Sequence, residues 1–136
     1  MGSEQRASKV MDVVLWVAQI ILAGSLIWAA TMKLFQPVDK LAEMWPWAAD
    51  HAGLVKPTGV VDLLGSIGLI FPALLRIQPR LTIYAAYGTI VLMIAASIFH
   101  IARGEASQIG INIFFAMTAA FVAWGRQKKV VIKPKR

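Results

Sequence analysis

The chain has 136 residues, room for one domain; 58% are apolar, only 15% are charged, and the mean hydropathy is +0.65. Soluble domains run nearer about 45–50% apolar and about 25% charged, so an ordinary soluble globule is excluded and an integral membrane protein is expected. The net charge of +7 is concentrated in one tail, and cysteine is absent, which excludes thiol–disulfide chemistry, thiolate-bound metal and structural disulfides.

No ionisable residue occurs from Val13 to Met32. As a helix this stretch reaches about 30 Å, the thickness of the hydrocarbon core, so a first span is predicted over 12–34. Arg6 and Lys9 precede it and Ala29-Ala30 could mimic a cleavage site, so a secretory signal peptide is the alternative. The apolar stretch exceeds the usual signal core and three more follow, which favours a span. The long connection Val38 to Lys56 carries Leu41, Met44, Trp45 and Ala48 at helical spacing, with Asp39, Lys40 and Glu43 elsewhere. A short amphipathic helix on the outer membrane surface, broken near Pro46, is expected, a plain loop being the alternative. Further spans are predicted over 58–75, 81–102 and 107–125, followed by a basic tail at 126–136. The fold class is all-α, an integral membrane four-helix bundle forming one transmembrane domain.

Basic residues near span ends set orientation. With four spans, ten of them share the side of both termini: Arg6, Lys9, Arg76, Arg80 and the six of the tail. Lys33, Lys40, Lys56 and Arg103 lie on the other side, so both termini are expected in the cytoplasm. Attraction of the tail GRQKKVVIKPKR to anionic headgroups explains the charge without nucleic acid as partner. Trp45 and Trp47 on the outer side and Trp124 on the inner side are expected as interfacial anchors.

This topology brings Lys33, Asp62, His100, Glu105, Gln108 and Asn112 to one depth near the outer ends of the spans, a candidate polar pocket. The inner halves hold only Gln19 and Thr89 as obvious polar groups. Small or polar residues recur at helical steps in each span: Gln19, Ala23, Leu26, Ala30 and Lys33; Asp62, Gly65, Ser66, Leu69 and Pro72; Thr89, Met93, Ala96 and His100; and Gln108, Asn112, Ala116, Ala119 or Ala120, and Ala123. Such stripes face inward and let helices approach closely. An ion pair between Lys33 and Asp62 is expected, because a lone carboxylate within a span is costly. Each residue also has a plainer reading. Thr58 could cap a helix whose dipole favours Asp62, Lys33 could snorkel to the headgroups, Glu105 and Arg103 could be solvated in a loop, and His100 could be a neutral interfacial histidine. A metal site from Asp62, His100, Glu105 and His51 lacks ligand-like spacing, and none is expected.

The segments Ala30-Thr31-Met32-Lys33-Leu34, DLLGSIGLIFP at 62–72, AASIFH at 95–100 followed by Arg103-Gly104-Glu105, and AWGR at 123–126 resemble the DoxX-like family of small four-span membrane proteins. That family usually has Glu where Asp62 stands, and a glycine in the turn before Lys33, where Ala29 and Ala30 stand. The resemblance implies a multi-pass protein of the bacterial cytoplasmic membrane and a link to redox or sulfur enzymes, since the family name comes from a subunit associated with thiosulfate:quinone oxidoreduction. Three function classes follow. The first is a non-catalytic subunit or assembly partner, for example of a redox complex, with a membrane or redox protein as partner and the homo-oligomer as an option. The second is a redox enzyme subunit binding a quinone or small molecule in the outer pocket, and the third a small transporter. No catalytic residue is singled out.

Overall fold

A computed structural model describes residues 2–134. Of the expected tail, Lys135 and Arg136 lie outside the described residues. The helices are α1 (Gly2–Phe35), α2 (Val38–Met44), α3 (Trp47–Asp50), α4 (Val55–Leu75), α5 (Arg80–Ala102) and α6 (Gly110–Trp124). Single 3-10 turns occupy Ala52–Leu54 and Ala106–Gln108, and a π turn follows α6 at Gly125–Lys129. The described residues contain no strand. Among the described residues three stretches are long and apolar enough to cross a membrane: Gln5–Phe35, Ala52–Leu75 and Arg80–Ala102. With 15 residues, α6 alone falls short of the roughly 20 that a span needs, and the π turn continues it.

Proline punctuates the helices. α1 contains none and stops at Phe35, two residues before Pro37, which disfavours helix in the residue preceding it. Pro46 separates α2 from α3. Pro57 falls in the first turn of α4, where its missing N–H would have had no partner. Thr58 does not cap α4, which starts earlier, at Val55; its hydroxyl donates back to the carbonyls of Leu54 and Val55 at 2.7 and 3.0 Å. Asp62 therefore lies about two turns inside the helix, too deep for the helix dipole to account for it.

Pro72 lies inside α4 and cannot donate to the carbonyl of Gly68, its partner four residues back. The Thr82 hydroxyl of α5 donates to that carbonyl instead, at 2.9 Å, and Thr82 is buried. One helix's defect is thus repaired by its neighbour.

α1 packs along α4, α4 against α5, α5 against α6, and α6 returns to α1. Two glycines of α4 set the spacing. A Cβ at Gly59 would come within 2.9 Å of Lys33 Cβ, and one at Gly68 within 2.8 Å of Ala85 Cβ, so α4 lies closer to both neighbours than any larger residue allows. The buried side chains of α4 (Asp62, Ser66, Leu69 and Ala73) follow the expected stripe, while Gly65 and Pro72 are half-buried. On α6 the inward alanines are Ala119 and Ala123, and Ala120 faces out. Large apolar residues such as Leu64, Val91 and Met117 cover the outside.

The α1–α6 seam closes tightly at only one end. Gly125 lies against Leu15, leaving no room for a side chain at 125. Next to it Arg126 is 2% exposed. Its Nε donates to Gln19 Oε1 and its Nη1 to Asp12 Oδ1, both at 2.7 Å, and Nη1 also donates to the Val130 carbonyl at 3.3 Å. Gln19 in turn donates to the Leu69 carbonyl at 2.6 Å, joining α1, α4 and the chain after α6. This corrects two sequence expectations. Arg126 is a buried structural cation rather than part of a basic tail held by anionic headgroups, and this half of the molecule holds more polar groups than Gln19 and Thr89. The π turn, closed by Val130 N–H to Gly125 O at 2.8 Å, carries Arg126 inward.

A cavity roofed by tryptophans

At the opposite end the helices diverge around a cavity of about 1010 Å³. It is bounded by α1, α4, α5 and α6 and roofed by the connection that contains α2 and α3. The roof is anchored by Leu41, Ala48 and Val55, all buried, against Met32, Trp45 and Trp47. Met44, placed by its spacing on the same face as Leu41, is instead 42% exposed. Trp45 and Trp47 are half-buried and stack with centroids 6.5 Å apart. They continue to Trp28 of α1 at 5.7 Å and to Phe99 of α5 at 5.9 Å, so an aromatic chain bridges the two helices over the void. Trp124, by contrast, is half exposed at the other end of the molecule, beside Lys129.

Under this roof Lys33 Nζ lies 2.8 Å from Asp62 Oδ2. The side chains are 14% and 4% exposed, so both charges are largely withdrawn from solvent. The ammonium is also 5.7 Å from the centroids of Trp45 and Trp47, within reach of the negative ring faces. An ammonium has three N–H donors, and Lys33 makes one hydrogen bond, to Asp62. His100, Gln108 and Asn112 reach the same cavity from α5, from the turn before α6 and from α6 itself. The Asn112 Nδ2 is buried without an acceptor.

Glu105 stands behind this wall and does not line the cavity. Gly104 adopts φ +78, a conformation that costs glycine little. It turns the chain so that the Glu105 N–H meets the His100 carbonyl at 2.7 Å, and the Glu105 side chain swings back over α5. Glu105 Oε1 is 2.9 Å from His100 Nδ1 and 3.1 Å from Arg103 Nε. An ionised carboxylate only accepts, so Nδ1 donates, and in the neutral ring Nε2 is left as an acceptor. Hydrogen bonds from His100 and then Arg103 hold the Glu105 carboxyl below the usual carboxylate range. Bonds to Glu105 and Asp50 raise Arg103, and the Arg103–Asp50 contact at 2.9 Å ties the roof to the α5–α6 turn. Among the described residues no group of three His, Asp or Glu side chains could hold a metal ion. His51 meets Phe99 edge to face, with centroids 5.2 Å apart.

Residues 17–122 match the sequence model of the DoxX-like family. The chain belongs to the DoxX-like family. No match was found among curated proteins or solved structures. In this DoxX-like protein five of the six expected pocket residues share the cavity, and Glu105 acts on it through His100. Sequence reasoning missed the roof's contribution from Trp28 and Phe99, which look like ordinary span residues. It also missed the Asp12–Arg126–Gln19 network. The lone Gln19 in an otherwise apolar stretch was the signal that a polar partner had to exist.

Proposed function

We propose that this DoxX-like protein is a four-span protein of the bacterial cytoplasmic membrane, with both termini in the cytoplasm, acting as a non-catalytic subunit that holds a small molecule for a redox partner. The fourth span is α6 with its flanking turns. The observation that carries the reading is the cavity. Its size sits at the upper end of ligand sites, about 300–1,000 Å³, and it combines apolar walls with a few convergent polar groups at one end. An ion pair that served packing alone would not need a void beside it. The unused donors of Lys33 and Asn112 fit a group with acceptor oxygens, and a quinone ring with its two carbonyls is such a group. Neither donor is placed beside a nucleophile or a metal-binding cluster, which favours holding over catalysis.

Native mass spectrometry of gently extracted full-length protein tests this. A bound small molecule and a co-purifying polypeptide are expected, and Ala96→Trp, which fills the cavity from α5, loses the small molecule. A protein that leaves the membrane alone and empty, unaffected by Ala96→Trp, overturns the reading.

A further inference from the structure

The cavity is open on one side. Its α1 wall runs through Ile20, Ile21 and Trp28, which are 59%, 45% and 52% exposed, and its α6 wall through Ile111, 57% exposed. On α1 and α6 the residues that both line the void and face outward frame a mouth in the seam beyond the Leu15–Gly125 contact, while Leu54, Ala95 and Gln108 are exposed lining residues elsewhere. Gly24 stands within that frame, where an added Cβ would meet nothing within 4 Å. Ser25 is the frame's one polar side chain on α1, and its hydroxyl is already donated to the Ile21 carbonyl at 2.8 Å. A mouth so apolar suits hydrocarbon rather than water, and Trp45 and Trp47 line the other end of the cavity.

At the deep end the charges are matched. Lys33 is paired with Asp62, and Glu105 lies between His100 and Arg103, which also holds Asp50. Unspent donor capacity remains on Lys33 Nζ and on the buried Asn112 Nδ2, beside the free acceptor of a neutral His100 ring. A charged head would upset this balance in a desolvated place, while an uncharged head with acceptor oxygens would complete it.

We propose that the cavity is loaded sideways from the bilayer, through the α1–α6 seam at Gly24, by a membrane-dissolved amphiphile. Its uncharged, oxygen-bearing head accepts hydrogen bonds from Lys33 and Asn112, and its tail lies in the seam. This rests on the ligand-holding reading and adds the route and the chemical class of the ligand.

The test uses full-length protein in phosphatidylcholine vesicles doped with a monoacylglycerol carrying a diazirine in its tail. After photolysis, adducts mapped by peptide mass spectrometry are expected to concentrate on 20–28 of α1 and 111–115 of α6, and to be suppressed by unlabelled monoacylglycerol. Gly24→Trp, whose bulk enters open space, loses the seam adducts. Asn112→Leu needs about fivefold more probe for the same labelling, the loss of one hydrogen bond. Uncompeted adducts spread over outward residues such as Leu64 and Val91 overturn the proposal. So does seam labelling that Gly24→Trp leaves unchanged. Either result with a co-purified small molecule still present removes only the side route and leaves the ligand-holding reading in place.

Discussion

Breaking the Lys33–Asp62 pair from its two sides should give unequal results. Removing one member of a buried pair typically costs about 3–5 kcal/mol, because the other charge is left without compensation. The two survivors here differ in reach. In Asp62→Asn the stranded group is the Lys33 ammonium, on a four-carbon stem that already lies 14% exposed beside the roof and can extend toward the headgroup layer. In Lys33→Met the stranded group is the Asp62 carboxylate, one methylene from the backbone and 4% exposed, which cannot follow. We expect Lys33→Met to lose about 3–5 kcal/mol and Asp62→Asn about 1–2 kcal/mol, the scale of leaving one polar group imperfectly paired. Lys33→Met/Asp62→Asn should recover most of the larger loss. The assay is reversible unfolding in mixed micelles, followed by tryptophan emission, on the four members of the cycle. Two mild and additive single effects would refute the buried-pair account, and a larger loss in Asp62→Asn would refute the argument from reach.

Three further outcomes can be checked on the same material. Thr82→Val leaves the Gly68 carbonyl without a donor and should cost about 1–2 kcal/mol; Pro72→Ala, which restores the helix's own N–H, should abolish that cost in the double variant. Arg126→Lys keeps the charge but cannot bond Gln19, Asp12 and the Val130 carbonyl together. A loss of about 3–6 kcal/mol is expected in the same unfolding assay, the scale of two hydrogen bonds to a charged group. The depressed Glu105 carboxyl contributes stability that is complete above its unfolded-state value and is lost as pH falls through the lower folded value. Amide exchange in the 103–108 turn should therefore quicken below the ordinary carboxylate range, and Glu105→Gln should show the quick exchange already at neutral pH.

The helices and their inward stripes were legible because lipid leaves a chain few choices: twenty apolar residues without a charge must be helical, and the few polar ones must turn inward. Asp62 and Lys33 could be related because each needed a partner at the same depth. Arg126 was misread because a cation in a basic run resembles its neighbours, and only its buried bonds to Asp12 and Gln19 set it apart from Lys128 and Lys129 in the same π turn. Its partners Asp12 and Gln19 lie more than a hundred residues away in the chain, a separation no local pattern spans. The cavity was legible only as a cluster of polar types. A void arises from how helices distant in sequence are spaced, and α1 and α6 meet closely at Leu15 and Gly125, at the far end from the cavity. Thr58 misled for a related reason, since a threonine before an apolar run reads as a cap whether the helix begins there or one turn earlier.

The repair of α4 by its neighbours bears on how the protein is made. Before assembly α4 would offer lipid a carboxylate at Asp62 and a carbonyl at Gly68 that its own proline has orphaned. The first is answered from α1 and the second from α5. Of all the helices it is the least suited to leave the insertion machinery alone. The short Arg76–Pro79 turn lets α5 follow at once, so biogenesis is expected to release α4 and α5 as a hairpin onto an α1 already in place.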